Sequence, residues 1–162
     1  MKTDAGDVPR GAEALARAAG ISIRPMVAED VPDVAVLTGQ LGYPSTEEQV
    51  RRRFEALREL RFGDVFVAES EPDGVVGWLY VALQVTIEGD AGAEVWGLVV
   101  DESLRGRGIG KALMARAEDW ARERGFRDVS LRTNIIRKET HRFYQSLGYE
   151  ITKTQYKMKK RL

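Results

Sequence analysis

The sequence contains no cysteine in 162 residues. That excludes disulfides, thiolate nucleophiles, thiolate zinc sites and cysteine-ligated iron–sulfur clusters. Histidine occurs once, as His141, so an H-E-x-x-H zinc site cannot be built and no metal is expected. A surplus of either charge is also missing: 25 basic residues balance 25 acidic ones. The global field therefore gives no pull toward nucleic acid or an anionic membrane, and neither is expected as a partner. No stretch approaches the roughly 20 apolar residues of a membrane span. The first twenty residues mix Lys2, Asp4, Asp7, Arg10, Glu13 and Arg17 with alanine and glycine, unlike a signal peptide. Together with the missing cysteines, this sets a cytoplasmic expectation.

What is present is a globular composition, 43% hydrophobic and 31% charged. Residues 1–20 read as a loose N-terminal extension whose Ala-rich middle, Gly11–Ala19, can form a short helix. Residues 21–162 read as a single domain. Ile21–Pro25 is a short strand, and Val31, Val34, Leu37 and Leu41 recur at helical spacing. A second helix starts near Ser45, where Ser45 and Glu48 fit a capping box, with an apolar face of Val50, Phe54, Leu57 and Leu60. Val65–Ala68, Val75–Thr86 and Glu94–Val100 are strand-like. A helix over Ile109–Arg124 follows, then a strand at Asp128–Thr133, a helix at Lys138–Leu147, and an alternating run, Tyr149–Met158, expected as a last strand. Helices that flank three consecutive strands point to a mixed sheet covered by helices rather than to a doubly wound fold.

The chemistry concentrates in Leu98-Val99-Val100 and the turn that follows, Arg105-Gly106-Arg107-Gly108-Ile109-Gly110-Lys111. Three glycines within five residues let backbone N–H groups converge on a ligand. The helix beginning there adds roughly half a positive charge at its N-terminus, and Arg105, Arg107 and Lys111 add full charges. This is a phosphate or pyrophosphate cradle on physical grounds. A P-loop is not spelled out, because Arg105 stands where its first glycine belongs and Ala112 where its magnesium-binding hydroxyl belongs. A dinucleotide fingerprint fails on the third glycine, whose place Lys111 takes.

The pattern that does fit is R-x-x-G-x-G, through Arg105, Gly108 and Gly110. With the strand before it and the helix after it, this resembles the acyl-CoA-binding motif of the GNAT superfamily of N-acyltransferases. Asn134, Arg137, His141-Arg142-Phe143-Tyr144 and Leu147-Gly148-Tyr149 resemble the family's Phe-Tyr helix and the residues after it. That tail is similar to bacterial small-molecule N-acetyltransferases, including the aminoalkylphosphonate type. Thr140 and Glu102 depart from the family pattern, where Ala and Pro are common, without removing a catalytic atom.

The resemblance implies an α/β (α+β) fold. Its mixed, mostly antiparallel sheet would have six or seven strands, be flanked by about four helices, and splay between the fourth and fifth strands. It implies acetyl-CoA as cosubstrate, with the pyrophosphate on Arg105–Lys111, the pantetheine arm along Leu98–Val100 and Asn134 on the opposite wall. It also implies direct attack of a primary amine in a ternary complex, with Tyr144 as general acid for the departing thiolate. Glu94 is a candidate base acting through water, and alternation puts it on the face of Trp96 and Leu98. Its other reading is a solvent-exposed edge carboxylate, and His141 is a second candidate. Glu88, Asp90 and Glu94 would suit a cationic amine, and Gly42–Ser45, Tyr80 and Gln84 are further candidate substrate determinants. Arg51–Arg53 read as a solvated helix face. Three other readings stay open: acetylation of a protein N-terminus or lysine, a non-catalytic CoA-binding module, and assembly as a homodimer.

Overall fold

The computed structural model describes residues 11–162; the first ten residues of the expected extension lie outside the described residues. Two compact units are present, one ending at Arg132 and the other spanning Thr133–Leu162.

The first unit opens with helix α1 (Gly11–Ala18), which packs against a later helix through the buried Ala12 and Ala16. Strand β1 (Ser22–Pro25), helices α2 (Val31–Gln40) and α3 (Glu47–Leu60), and strands β2 (Gly63–Ser70), β3 (Gly74–Gln84) and β4 (Gly92–Val100) follow. Helix α4 (Ile109–Glu123) and the short strand β5 (Val129–Leu131) complete it. The sheet runs β1-β2-β3-β4-β5, antiparallel except for the parallel β4–β5 pair.

Two layers cover the sheet. Gly77 faces α4, since a Cβ there would lie 3.3 Å from Leu113. By alternation, the fully buried Leu79 and Val81 share that face. The other face carries Val67, Val99 and Trp78 against Val31, Val34, Leu37, Val50 and Phe54 of α2 and α3. Val31, Val34 and Leu37 therefore bury as their spacing requires. In α3 only the first half of the expected apolar face is buried, and Leu60 stands exposed.

Helix α3 begins one residue later than Ser45–Glu48 suggested. Thr46 is the N-cap: its hydroxyl accepts from the Gln49 amide (3.2 Å), and the Gln49 side chain accepts from the Thr46 amide (3.0 Å). Ser45 instead accepts from the Arg53 side chain at 2.8 Å. The carboxylates of Asp30 and Glu69 clamp β1 to β2 through Arg24 at 2.8 and 3.0 Å.

The second unit holds helix α5 (Lys138–Ser146), ended by Gly148 at φ 92°. Residues 150–162 are exposed and without regular structure. The strand expected over Tyr149–Met158 does not form, so the described sheet has five strands rather than six or seven; the described residues form five α-helices rather than about four. Alternation only makes a strand compatible with a half-buried face, and a strand also needs a neighbour to hydrogen-bond with. Among the described residues no helix is long and apolar enough to cross a membrane.

Candidate active site

The end of β4 and the start of α4 build the centre of the site. Val100 leads into Asp101, whose carboxylate accepts from the Ser103 amide (2.9 Å) and from Gln40 at the end of α2 (3.0 Å). Gln40 also accepts from the Glu102 amide at 3.0 Å, so one side chain braces the turn twice. The hydrogen bonds from Ser103 and then Gln40 hold the Asp101 carboxyl below its usual range. Arg105 folds back, its Nε donating to the Val100 carbonyl at 3.2 Å.

Gly106 and Gly108 follow at φ 78° and 86°. Both lie in the left-handed region, which a side chain would strain. Gly108 is the N-cap of α4 and has no side chain to cap it. The helix's first bond to its carbonyl comes from Ala112 at 3.0 Å, so the amides of Ile109, Gly110 and Lys111 precede it and have no partner within the helix. Ile109, Ala112 and Leu113 anchor the helix inward. Arg107 and Lys111 are exposed and form no ion pair among the described residues. The result is a fixed turn with convergent donors and two free cations, which suits an anionic ligand.

Beside the turn, β4 is only half paired on its outer edge. Pairing with β5 ends at Val95 and Leu131, leaving Trp96–Val100 without a strand on that side among the described residues. On its inner side β4 carries a bulge. Tyr80 opposes Gly97 and Val81 opposes Val95, so Trp96 is the extra residue.

The bulge corrects the expected face of Glu94. Glu94 opposes Ala82 and lies on the α2 face with Gly97 and Val99, whereas Leu98, opposite Leu79, points to α4. Glu94 is not an edge carboxylate in solvent either. It is 1% exposed and is met by Arg132, whose Nε lies 2.9 Å from Oε1 and whose Nη2 donates to Oε2 at 3.4 Å. The Arg132 side chain is 66% exposed and its guanidinium also lies 5.3 Å from the centroid of the exposed Trp96 ring. Arg132 has no motif around it, but it follows Leu131, the parallel partner of Val95, and that register is the only signal that joins it to Glu94. Gly97 is required for packing, because a Cβ there would lie 2.7 Å from the Trp78 ring. Tyr80 is half-buried on the same face, and burial, aided by the charge of Asp64, pushes its phenol up.

Glu88, Asp90 and Tyr43 are exposed. In the second unit, the Asn134 carbonyl accepts from the Nε2–H of His141 at 2.9 Å. The Tyr144 ring lies 5.2 Å from Phe143 and 6.1 Å from Tyr149. Burial pushes the Tyr144 phenol up, with the Arg137 guanidinium opposing.

A half-paired strand running into an uncapped, glycine-lined helix start offers main-chain groups that suit an extended, anionic ligand. The family model "Acetyltransferase (GNAT) family" matches residues 34–149, and the chain belongs to that family. Among curated relatives, the aminoalkylphosphonate N-acetyltransferase of Salmonella typhimurium is 46% identical over 57 residues, 35% of this chain and 37% of that protein. The aminoglycoside N(6')-acetyltransferase type 1 of Stenotrophomonas maltophilia is 24% identical over 139 residues, 82% of this chain and 90% of that protein. The matches to the first curated relatives span 32%, 37% and 44% of those proteins' own lengths. Among solved structures, the aminoglycoside 6'-N-acetyltransferase AAC(6')-Ih of Acinetobacter baumannii superposes with a TM-score of 0.76 at 19% identity, covering 88% of this chain and 99% of that one. That likeness is one of fold.

Proposed function

We propose that this chain transfers an acetyl group from acetyl-CoA to a primary amine of a small molecule. The observation that carries the reading is the junction of β4 and α4: an uncapped helix start lined by Gly106 and Gly108, beside a strand edge left open from Trp96 to Val100. The amides of Ile109, Gly110 and Lys111, with the side chains of Arg107 and Lys111, would bind the pyrophosphate. The main chain of Leu98, Val99 and Val100 would hold the pantetheine arm as an added strand, and Arg105 would fix the turn between them. Asn134 is assigned to the cofactor's other side by its place in the family pattern. When bound, acetyl-CoA supplies the activated acetyl group.

The amine arrives as an ammonium ion and must lose a proton to attack, since its pKa is near ~10. Glu94 is a buried carboxylate whose partner, Arg132, is mostly exposed. An ammonium group can take the place of that guanidinium, and Glu94 then draws its proton directly or through water. Tyr144 is the proton donor to the departing sulfur. Its raised pKa keeps the phenol protonated at neutral pH, and its Phe-Tyr helix matches the family pattern. The Salmonella and Stenotrophomonas relatives are named for acetylating aminoalkylphosphonates and aminoglycosides, small molecules that carry amines, which favours such an acceptor over a protein.

The test is a thermal melt with acetyl-CoA, with ATP and NAD as controls, followed by an amine panel read by thiol release. Acetyl-CoA at about 100 times its dissociation constant should stabilise the fold by about 2.7 kcal/mol. For a chain of this size that is a rise of roughly 5–10 °C. Tyr144→Phe should keep the rise and lower kcat. No rise with acetyl-CoA overturns the reading. A rise without turnover of any amine would instead indicate a CoA-binding module, and turnover of peptides alone a protein acetyltransferase.

A further inference from the structure

At the far end of α4 from the glycine-lined turn lies a cavity of about 610 Å³, within the range of small-molecule sites. Helix α4 is 15 residues long, which puts the two places about 22 Å apart along its axis. The cavity lies between the end of α3, the start of β2 and the end of α4, and Phe62, Trp120 and Phe126 give it an aromatic wall.

Its charge is one-sided. Arg58, Arg61 and Arg124 line it against a single carboxylate, Asp64. That carboxylate is already committed: Oδ2 accepts from the Trp120 indole at 2.6 Å and from Arg124 Nη2 at 3.0 Å. Arg124 is thereby neutralised and stacked 4.0 Å from the Trp120 ring centroid. Arg58 and Arg61 have no carboxylate partner among the described residues. Arg58 only lies near the Phe54 ring, at 5.8 Å.

Arg61 adds a second, independent sign. It ends α3 at φ 54°, ψ 26°, and is the only non-glycine residue with positive φ among the described residues. Where a helix ends in that conformation, glycine usually takes the place, because a Cβ is strained there. Here the chain keeps an arginine despite the strain, and the arginine lines the cavity. Strain held at a cavity wall is where a side-chain function is expected.

We propose that this cavity binds a small organic anion with an apolar body, an aryl or alkyl carboxylate. The body lies on the aromatic wall and the carboxylate meets Arg58 and Arg61. The site is separate from the acyl-transfer site and does not depend on it.

Three tryptophans make the test local. In an indole ¹H–¹⁵N spectrum, Trp120 reports the cavity and Trp96 reports the surroundings of Glu94. Phenylpropanoate and octanoate are titrated, with phenylpropanamide and octanol as uncharged counterparts. The expected result is a saturable shift of the Trp120 resonance with the carboxylates, and Trp96 unmoved. Arg61→Gly should bind about tenfold more weakly or worse, the loss expected for a charge-assisted contact, while its melting temperature holds or rises because the strain is relieved. Arg58→Gln should weaken binding without relieving strain. The proposal is overturned if Trp120 does not move at millimolar carboxylate, if the uncharged counterparts move it equally, or if both arginine variants bind as the parent does.

Discussion

Replacing Arg132 by methionine isolates what the buried Glu94 carboxylate costs. Methionine keeps an unbranched stem against Trp96 and removes the charge that faces Oε1 at 2.9 Å. Two burial values decide the magnitude. Because Arg132 is 66% exposed, the pair itself is screened and contributes little, as surface pairs do. Because Glu94 is 1% exposed, stranding it is expensive. The expected loss at neutral pH is about 1–3 kcal/mol, the penalty for an unsatisfied buried polar group. It stays below the roughly 3–5 kcal/mol of a fully enclosed pair because water can reach the vacated position. At roughly 2–4 °C per kcal/mol for a chain of this size, the melting point should drop by about 2–12 °C. Glu94→Gln combined with Arg132→Met should recover most of that loss, since an amide needs no counter-charge, and urea melts with unchanged m-values would measure the recovery. The reasoning fails if Arg132→Met is as stable as the parent, or if the double variant is as weak as Arg132→Met alone. With an amine substrate in hand, Arg132→Met should also lower the amine KM, because the guanidinium no longer competes for Glu94.

Two further expectations bear on the scaffold. Thr46→Ala should cost about 1 kcal/mol and Ser45→Ala much less, as chemical denaturation would show, because the cap hydroxyl belongs to Thr46. Asp30 is buried, which by itself would raise its pKa, but the hydrogen bonds from Arg24 and from the Val27 amide outweigh that and hold it below its usual value. Its contribution is therefore fully present above about pH 4, the unfolded carboxyl range, and is lost as pH falls through the lower folded value. Asp30→Asn should lower stability at pH 7 and flatten the acid limb of a stability–pH curve; an unchanged acid limb would contradict the assignment.

The glycine-lined helix start at Arg105–Lys111 was legible because its parts are contiguous: glycines, cations and the first helical residues lie within a few positions. The helices and all five strands of the described sheet were legible for the same reason, since period and punctuation are local. What failed was non-local. Trp96 looks like an ordinary strand residue, and only the register against Tyr80 and Val81 shows that it is inserted, so the face of Leu98 was misjudged. Glu94 gives no sign of its burial, which comes from the strands beside it and from Arg132, 38 residues on. Gln40 reaches Asp101 across 61 residues with no motif at either end. Tyr149–Met158 has the alternation of a strand, but alternation says nothing about whether a partner edge is present.

The inserted Trp96 makes β4 a strand with two phases. Before it, Glu94 points one way and Val95 the other; after it, Gly97 takes the side of Glu94, three positions on instead of two. A strand that carried Trp96 in regular alternation, without the bulge, would have to choose. Either Gly97 and Val99 exchange sides with Leu98 and Val100, setting Leu98 against the Trp78 ring, or the strand keeps its second half and turns the Glu94 carboxylate toward α4. The insertion lets one strand serve two masters, a buried carboxylate at one end and an edge left open beside the glycine-lined turn at the other. A sequence comparison that places a gap anywhere else in β4 would therefore match residues that point in opposite directions.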